Sequence, residues 1–156
     1  MALLKQELRQ FGALPLHFER DGTPHVYLVT SRGSGRWIIP KGNPIRGLAP
    51  HKVAAREALE EAGLVGHVLR DCIGTFVFDR RRQRSDIICR VEVYPLLVER
   101  QLRRWAEAGQ RSVQSCDLAT ALSLVTSPGL SALIEQYVTR RLSGAFLPAR
   151  TNPIAA

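Results

Sequence analysis

Apolar positions change rhythm several times along this chain, and each change marks an element. "ALPLHFE" (13–19) partly alternates and "HVYLVTS" (25–31) is β-branched and aromatic, so with the turn signal "RDG" (20–22) between them they predict a hairpin. A second turn, "GSG" (33–35), leads into the short strand "RWIIP" (36–40), which Pro40 ends. Two Gly and one Pro keep "KGNPIRG" (41–47) out of any helix interior, and it reads as a loop. The rhythm turns helical from about Ala49 to Ala62, with Pro50 tolerated in the first turn and Gly63 as the stop. "IGTFVFDR" (73–80) and "SDIICRVEVYPLLVER" (85–100) read as two strands joined by the basic turn "RRRQR" (80–84). "DLATALSLV" (117–125) and "PGLSALIEQYVTRRL" (128–142) are the later helices, the second opened by Pro128. The order strands, helix, strands, helices implies a mixed sheet packed between helices, an α/β arrangement of the α+β type. It forms one domain over residues 1–142, followed by a loose tail over 143–156.

The first helix concentrates acid. Glu57, Glu60 and Glu61 fall within a sector of roughly 100° at the helical step, with Ala55, Ala58, Leu59 and Ala62 on the other side. That small apolar side suits a close approach to a sheet, so the carboxylates are expected to point together, away from the core. Clustered anions repel unless a cation lies among them, and hard divalent ions share carboxylates readily with substrate phosphates. The plain alternative is a solvated helix face whose repulsion Lys52 and Arg56 relieve, the commoner meaning of an isolated "EALEEAG". Here the string stands at a set distance behind a Gly-rich loop, with Arg56 immediately before the first acid.

With those residues in place, the sequence resembles the Nudix hydrolase family, whose signature is G-x5-E-x7-R-E-U-x-E-E-x-G-U, U being bulky and apolar. Gly42 begins it, and Arg56-Glu57-Ala58-Leu59-Glu60-Glu61-Ala62-Gly63-Leu64 completes it. Leu48 stands at the first Glu position, and Ala58 is small for U. "RWIIPKG" before the box and "EAGQR" (107–111) after the second long strand look like the bacterial branch related to diphosphoinositol polyphosphate phosphohydrolases. That branch usually carries an aromatic pair where Val113 and Gln114 stand here.

The resemblance implies a Nudix-like α/β/α sandwich with its mixed sheet between helices. It also implies hydrolysis of a diphosphate by water attack at phosphorus, with Mg²⁺ or Mn²⁺ as cofactor. Its metal ligands would be Glu57, Glu60 and Glu61 with the carbonyl of Gly42, where the missing side chain lets the backbone come close. Glu57 or Glu60 would also take the proton of the attacking water, and Arg56 would orient a helix carboxylate through its fork. Lys41, and Arg80 and Arg82 of the basic turn, are candidate contacts to substrate phosphates; an ordinary surface lysine and a solvated hairpin tip are the plain readings. Leu48 removes one anion, which leaves the number of metals open.

Composition adds charge to this picture. Lys and Arg number 22 against 14 Asp and Glu, a formal charge of +8, which suits either nucleic acid or a small, highly phosphorylated substrate. The leading expectation is a pyrophosphohydrolase acting on a nucleoside diphosphate-linked compound, a dinucleoside polyphosphate or an inositol pyrophosphate. A Nudix-fold binding or sensor module without turnover is the second reading, and a basic RNA-binding or cap-processing protein the third. Cys72, Cys89 and Cys116 are far apart and odd in number, so neither a disulfide framework nor a zinc site is expected and a reducing cytoplasm is the default. No apolar run reaches the roughly 18 residues that span a bilayer, and "MALLKQELRQFG" mixes charge too early for a secretory signal. A homodimer is compatible with the sequence. His51 and His67 lack partners at metal-ligand spacing and read as surface residues, Trp37 as core or pocket wall, and Glu107 as a solvated loop acid with an auxiliary role as the alternative.

Overall fold

The computed structural model of the chain describes residues 6–79 and 87–144. Strand β1 (Gln6–Phe18) runs through the middle of an eight-stranded sheet beside β7 (Ile87–Gln101), paired in parallel from Gln6 opposite Ile87 to Leu16 opposite Leu97. β1 begins seven residues earlier than its apolar alternation indicates. Its polar half is held by cross-strand charge, with Glu7 bonded to Arg90 and Arg9 to Glu92.

The hairpin of β1 with β2 (Pro24–Thr30) is present, antiparallel with Leu16 opposite Val26. β3 (Trp37–Ile38) pairs with β2. The first two residues of the expected loop "KGNPIRG" form a strand, β4 (Lys41–Gly42), set opposite Gly12 and Phe11 of β1. Two more short strands carry too little alternation to stand out: β5 (Leu64–Val68), antiparallel to β7, and β8 (Val113–Asp117), antiparallel to β2. β6 (Gly74–Asp79) forms the expected hairpin pairing with β7. The basic turn itself, with Arg80 and Arg82, lies outside the described residues, as does the tail beyond Gly144.

Three helices cover the sheet: α1 (Pro50–Ala62), α2 (Leu118–Leu124) and α3 (Pro128–Ser143). α1 starts with Pro50 after Ala49 and stops at Gly63, whose φ of 68° is the left-handed conformation a glycine adopts without strain. Asp117 caps α2 by accepting from the Thr120 N–H, and Ser127 caps α3 by accepting from the Leu130 N–H. The core lies in two layers. Leu14, Leu16, Val26, Leu28, Val91 and Val93 meet Leu130, Ile134 and Val138 of α3 on one face. Phe11, Ala13, Tyr94 and Leu96 meet Val53, Ala54, Ala58 and Ala62 of α1 on the other. The small Ala58 is fully buried, because a short side chain here lets α1 settle close to the sheet. The expected α/β/α sandwich with a mixed sheet is therefore the fold.

Candidate active site

The acidic helix does not turn its carboxylates away from the core. Glu61 is one of the most enclosed charged side chains among the described residues, only 5% exposed, while Leu59 is 39% exposed. The seam that packs on the sheet runs through Val53, Ala54, Ala58 and Ala62, and Glu57 and Glu61 flank it one turn apart. The expectation of an outward-pointing acid face is corrected accordingly. What permits the arrangement is Gly42, since a Cβ built there would collide with the carboxylate of Glu57. β4 thus brings a bare stretch of backbone against the first acid of the helix.

The helix C-terminus is closed by the segment that follows β7. The Glu107 N–H donates to the Glu60 carbonyl at 2.9 Å, the Leu102 N–H to the Gly63 carbonyl at 2.7 Å, and Gln101 Nε2 to the Ala62 carbonyl at 3.0 Å. These bonds satisfy carbonyls that a helix end leaves without partners, and they fix residues 102–112 against α1. The Trp105 ring lies over Gly63, where a Cβ would strike it.

That segment delivers Arg111. Its Nη2 donates to Glu107 Oε1 at 2.8 Å, its Nη1 donates to the Thr30 carbonyl at 3.1 Å, and Nη1 stands 3.6 Å from Glu61 Oε1. The Arg111 side chain is 7% exposed and the Glu61 side chain 6%. Glu61 Oε1 accepts no hydrogen bond among the described residues, so Arg111 answers its charge without satisfying the oxygen.

Burial dominates the electrostatics. The Glu61 carboxyl is pushed up to about 8, chiefly by desolvation and then by the hydrogen bond it shares with Glu57, while Arg111 and Lys41 pull the other way. Glu57 is also raised, by desolvation first, with the charges of Glu60 and Glu107 adding to the effect. Two neighbouring carboxyls with raised affinity for protons, one of them enclosed with an unsatisfied oxygen, can share a proton or receive a cation. Among the described residues no three His, Cys, Asp or Glu side chains converge as they stand on one point that could hold a metal. Glu60 lies beside the pair without completing a triad. Two carboxylates plus backbone oxygen still fit Mg²⁺, which keeps several waters and takes the rest of its shell from substrate phosphate.

The structure therefore brings together Gly42, Glu57 and Glu61, with Glu60 adjacent. Lys41 lies on the far side of β4, where its Nζ donates to Gln10 Oε1 at 3.3 Å and sits 4.3 Å from the centroid of the Phe78 ring. Arg56 is exposed on the outer surface of α1, edging an apolar depression with Ala55, Leu59 and Val65. Arg111 is the guanidinium that meets the acid pair. Glu107, read from sequence as a solvated acid, is half-buried and bound to Arg111. Leu48 packs with the apolar layer under α1. Arg111 and Gln10 were missed as individual residues. The Glu107-to-Arg111 spacing within "EAGQR" was the available signal for the first; for Gln10, a lone polar residue in a strand, there was none.

A mixed sheet sandwiched by helices, with a Gly-backed carboxylate pair at the C-terminal end of α1, defines the class. The NUDIX domain family matches residues 9–134, and the chain belongs to that family. Nudix hydrolase 21, chloroplastic, of Arabidopsis thaliana is 26% identical over 133 residues, 83% of this chain and 66% of the relative. Nudix hydrolase 16, mitochondrial, of the same plant is 26% identical over 140 residues, 81% of this chain and 77% of the relative. The match thus spans about two thirds of the first relative's length. Among solved structures, a C. elegans Ap4A hydrolase binary complex superposes with a TM-score of 0.62 at 18% identity, covering 92% of this chain and 99% of that one. The NUDIX domain of Shewanella oneidensis NrtR complexed with ADP ribose gives 0.65 at 21% identity, covering 88% and 90%. At these identities the superpositions establish the fold. The family and the names of its relatives bear out the enzyme class expected from the signature, a Nudix-type pyrophosphohydrolase. Among the described residues, no helix is long and apolar enough to cross a membrane.

Proposed function

We propose that the protein is a Mg²⁺- or Mn²⁺-dependent hydrolase that cleaves the pyrophosphate bond of a highly anionic small molecule. The observation that carries this reading is the Glu57–Glu61 pair, enclosed against Gly42 with an oxygen of Glu61 left unsatisfied. Glu57 and Glu61 would hold the ion with the Gly42 carbonyl, and Glu60 would join them once substrate arrives. The ion, when bound, would neutralise charge on the phosphoryl oxygens and activate water for attack. Glu57 or Glu60 accepts the proton of that water. Arg56, one turn before Glu60 on the helix surface, orients that carboxylate. Lys41, Arg80 and Arg82 meet substrate phosphates.

A dinucleoside polyphosphate or an inositol pyrophosphate suits the formal charge of +8, in keeping with the likeness to the diphosphoinositol polyphosphate branch. The protein acts as a single domain over residues 1–142 in the cytoplasm, and light scattering distinguishes a monomer from a homodimer. A second reading, a ligand-binding sensor without turnover, is favoured by one observation. Leu48 packs as an apolar residue where the family motif carries an acid. The test is a substrate panel of dinucleoside polyphosphates, ADP-ribose, inositol pyrophosphate and capped RNA, with and without Mg²⁺ or Mn²⁺. Metal-dependent release of phosphate or nucleoside monophosphate is expected, and EDTA should abolish it. Binding without release favours the sensor, and neither binding nor release from any member overturns both.

A further inference from the structure

Strand β4 separates two kinds of chemistry. Gly42 faces Glu57, whereas Lys41, opposite Gly12, and Asn43 both reach Gln10 on the other side of β1. An ammonium group only donates hydrogen bonds, so the bond from Lys41 Nζ fixes the oxygen of the Gln10 amide toward Lys41. The Gln10 NH₂ must then point the other way, and it donates to Asn43 Oδ1 at 3.1 Å. That bond in turn fixes Asn43, whose oxygen faces inward and whose own NH₂ faces outward. Gln10 is only 9% exposed while Asn43 is exposed, so the chain of bonds runs from an enclosed anchor to the surface. Phe78 lies under the Lys41 ammonium and limits where it can swing.

We propose that Gln10 is a positioning residue that aims Lys41 and Asn43 as paired donors at an anionic oxygen of the substrate, on the opposite side of β4 from the acid pair. A diphosphate lying across Gly42 would then meet a carboxylate-rich side and a donor-rich side at once. This inference rests on the diphosphate-substrate reading above and assigns the residues that recognise its non-reacting oxygens. Lys41 and Asn43 touch the substrate, and Gln10 acts through them.

The test uses imidodiphosphate, a non-hydrolysed diphosphate, together with Mg²⁺, and the full chain. Titration should move the side-chain NH₂ resonances of Asn43. Asn43→Asp, which puts an acceptor where the donor stands, should weaken binding about tenfold or more and raise KM alike, with kcat within about twofold. Gln10→Met, nearly the same size with no hydrogen bonds, should cost about three- to tenfold in KM. In the double variant Gln10→Met/Asn43→Asp, the combined loss should fall short of the product of the two single losses, because both act on one bonded chain. Unmoved Asn43 resonances, unchanged binding by Asn43→Asp, or fully multiplicative losses would each overturn the proposal. If Gln10→Met melts early, Asn43→Asp at its exposed position decides alone. Binding is read without turnover, so the two readings fail separately. A perturbed Asn43 with no hydrolysis anywhere in the panel sinks the hydrolase, and hydrolysis without the perturbation sinks the donor pair.

Discussion

Two sets of acids and arginines lie close together in this molecule and behave in opposite ways. Along β1 and β7, Glu7 pairs with Arg90 at 3.1 Å and Glu92 is bonded by Arg9, all in water or near it. The arginine hydrogen bonds hold the carboxyls of Glu7 and Glu92 below the usual range. At the end of α1, Glu61 also faces an arginine, yet desolvation lifts it to about 8. The partners are the same in kind, and the environment decides. The exposed pairs are complete; the enclosed set gathers four carboxylates, Glu57, Glu60, Glu61 and Glu107, near the guanidinium of Arg111, with Lys41 acting on Glu61 only from across β4. A fold gains nothing from an acid excess in a dry place, and Arg111 alone leaves a Glu61 oxygen unsatisfied. A site that must receive a cation has use for both.

The sharpest way to break that contrast is Glu61→Gln. Loss of the buried carboxylate should cut metal-dependent turnover about a thousandfold, roughly 4 kcal/mol of transition-state stabilisation. Stability should move in the opposite sense. The folded carboxyl of Glu61 titrates above its unfolded value of 4.5, so the folded state keeps a proton that the unfolded chain releases. Stability of the metal-free protein is then full below that unfolded value and is lost as pH rises toward about 8. Thermal melts in EDTA should show Tm falling across this window for the parent chain, with Mg²⁺ reversing the fall at the upper end. Glu61→Gln should flatten the slope and raise Tm at the upper end of the window. A variant that keeps the parent's slope, or its turnover, would remove Glu61 from the centre of the site.

Arg111 sharpens the same comparison with a smaller effect. Arg111→Gln leaves Glu61 and Glu107 without their shared cation and frees the segment that closes α1. Turnover should fall about tenfold to a hundredfold, as for other residues that orient a metal ligand. The Glu107 amide, now bonded to the Glu60 carbonyl, should exchange its hydrogen faster. Arg111→Lys should recover little, because the bonds to Glu107 and to the Thr30 carbonyl use different arms of a planar fork. Full activity in the lysine variant would show that only charge is needed there.

How much of this was legible beforehand depends on whether a residue's task is local. The hairpin of β1 and β2, the long helices and their proline and glycine boundaries follow from patterns that neighbours in sequence impose. The spacing of Gly42, Arg56, Glu57, Glu60 and Glu61 was equally local, which is why the family resemblance emerged from it. The direction of the acids was not. Helical geometry placed Glu57 and Glu61 on one side, but whether that side meets water depends on Gly42, set in place by pairing with Phe11 31 residues earlier, and on Arg111, 50 residues after Glu61. The short strands β5 and β8 were invisible for a related reason, since each exists through pairing to a distant partner. Arg56 stands next to the acids in sequence and apart from the buried pair in space, whereas Arg111 is the reverse.

The smallest effect belongs to the exposed pairs, and it is the control that gives the larger ones meaning. Replacing Glu7 with Gln and Arg90 with Met together removes one cross-strand pair from the parallel run of β1 and β7. Exposed pairs contribute little because water and salt already screen them, so Tm should change by no more than about 2 °C at neutral pH. The sign with pH is opposite to that of Glu61. A carboxyl held below its usual range contributes stability above its unfolded value, 4.5, and that contribution fades as pH falls through the lowered folded value. The parent and double variant should therefore converge in acid and separate slightly at neutral pH, with the separation shrinking in high salt. Turnover and metal affinity should match the parent, since neither residue approaches the acid pair of α1. A large loss of activity here would mean that the two charge sets are coupled through β1, and the contrast drawn between them would have to be given up.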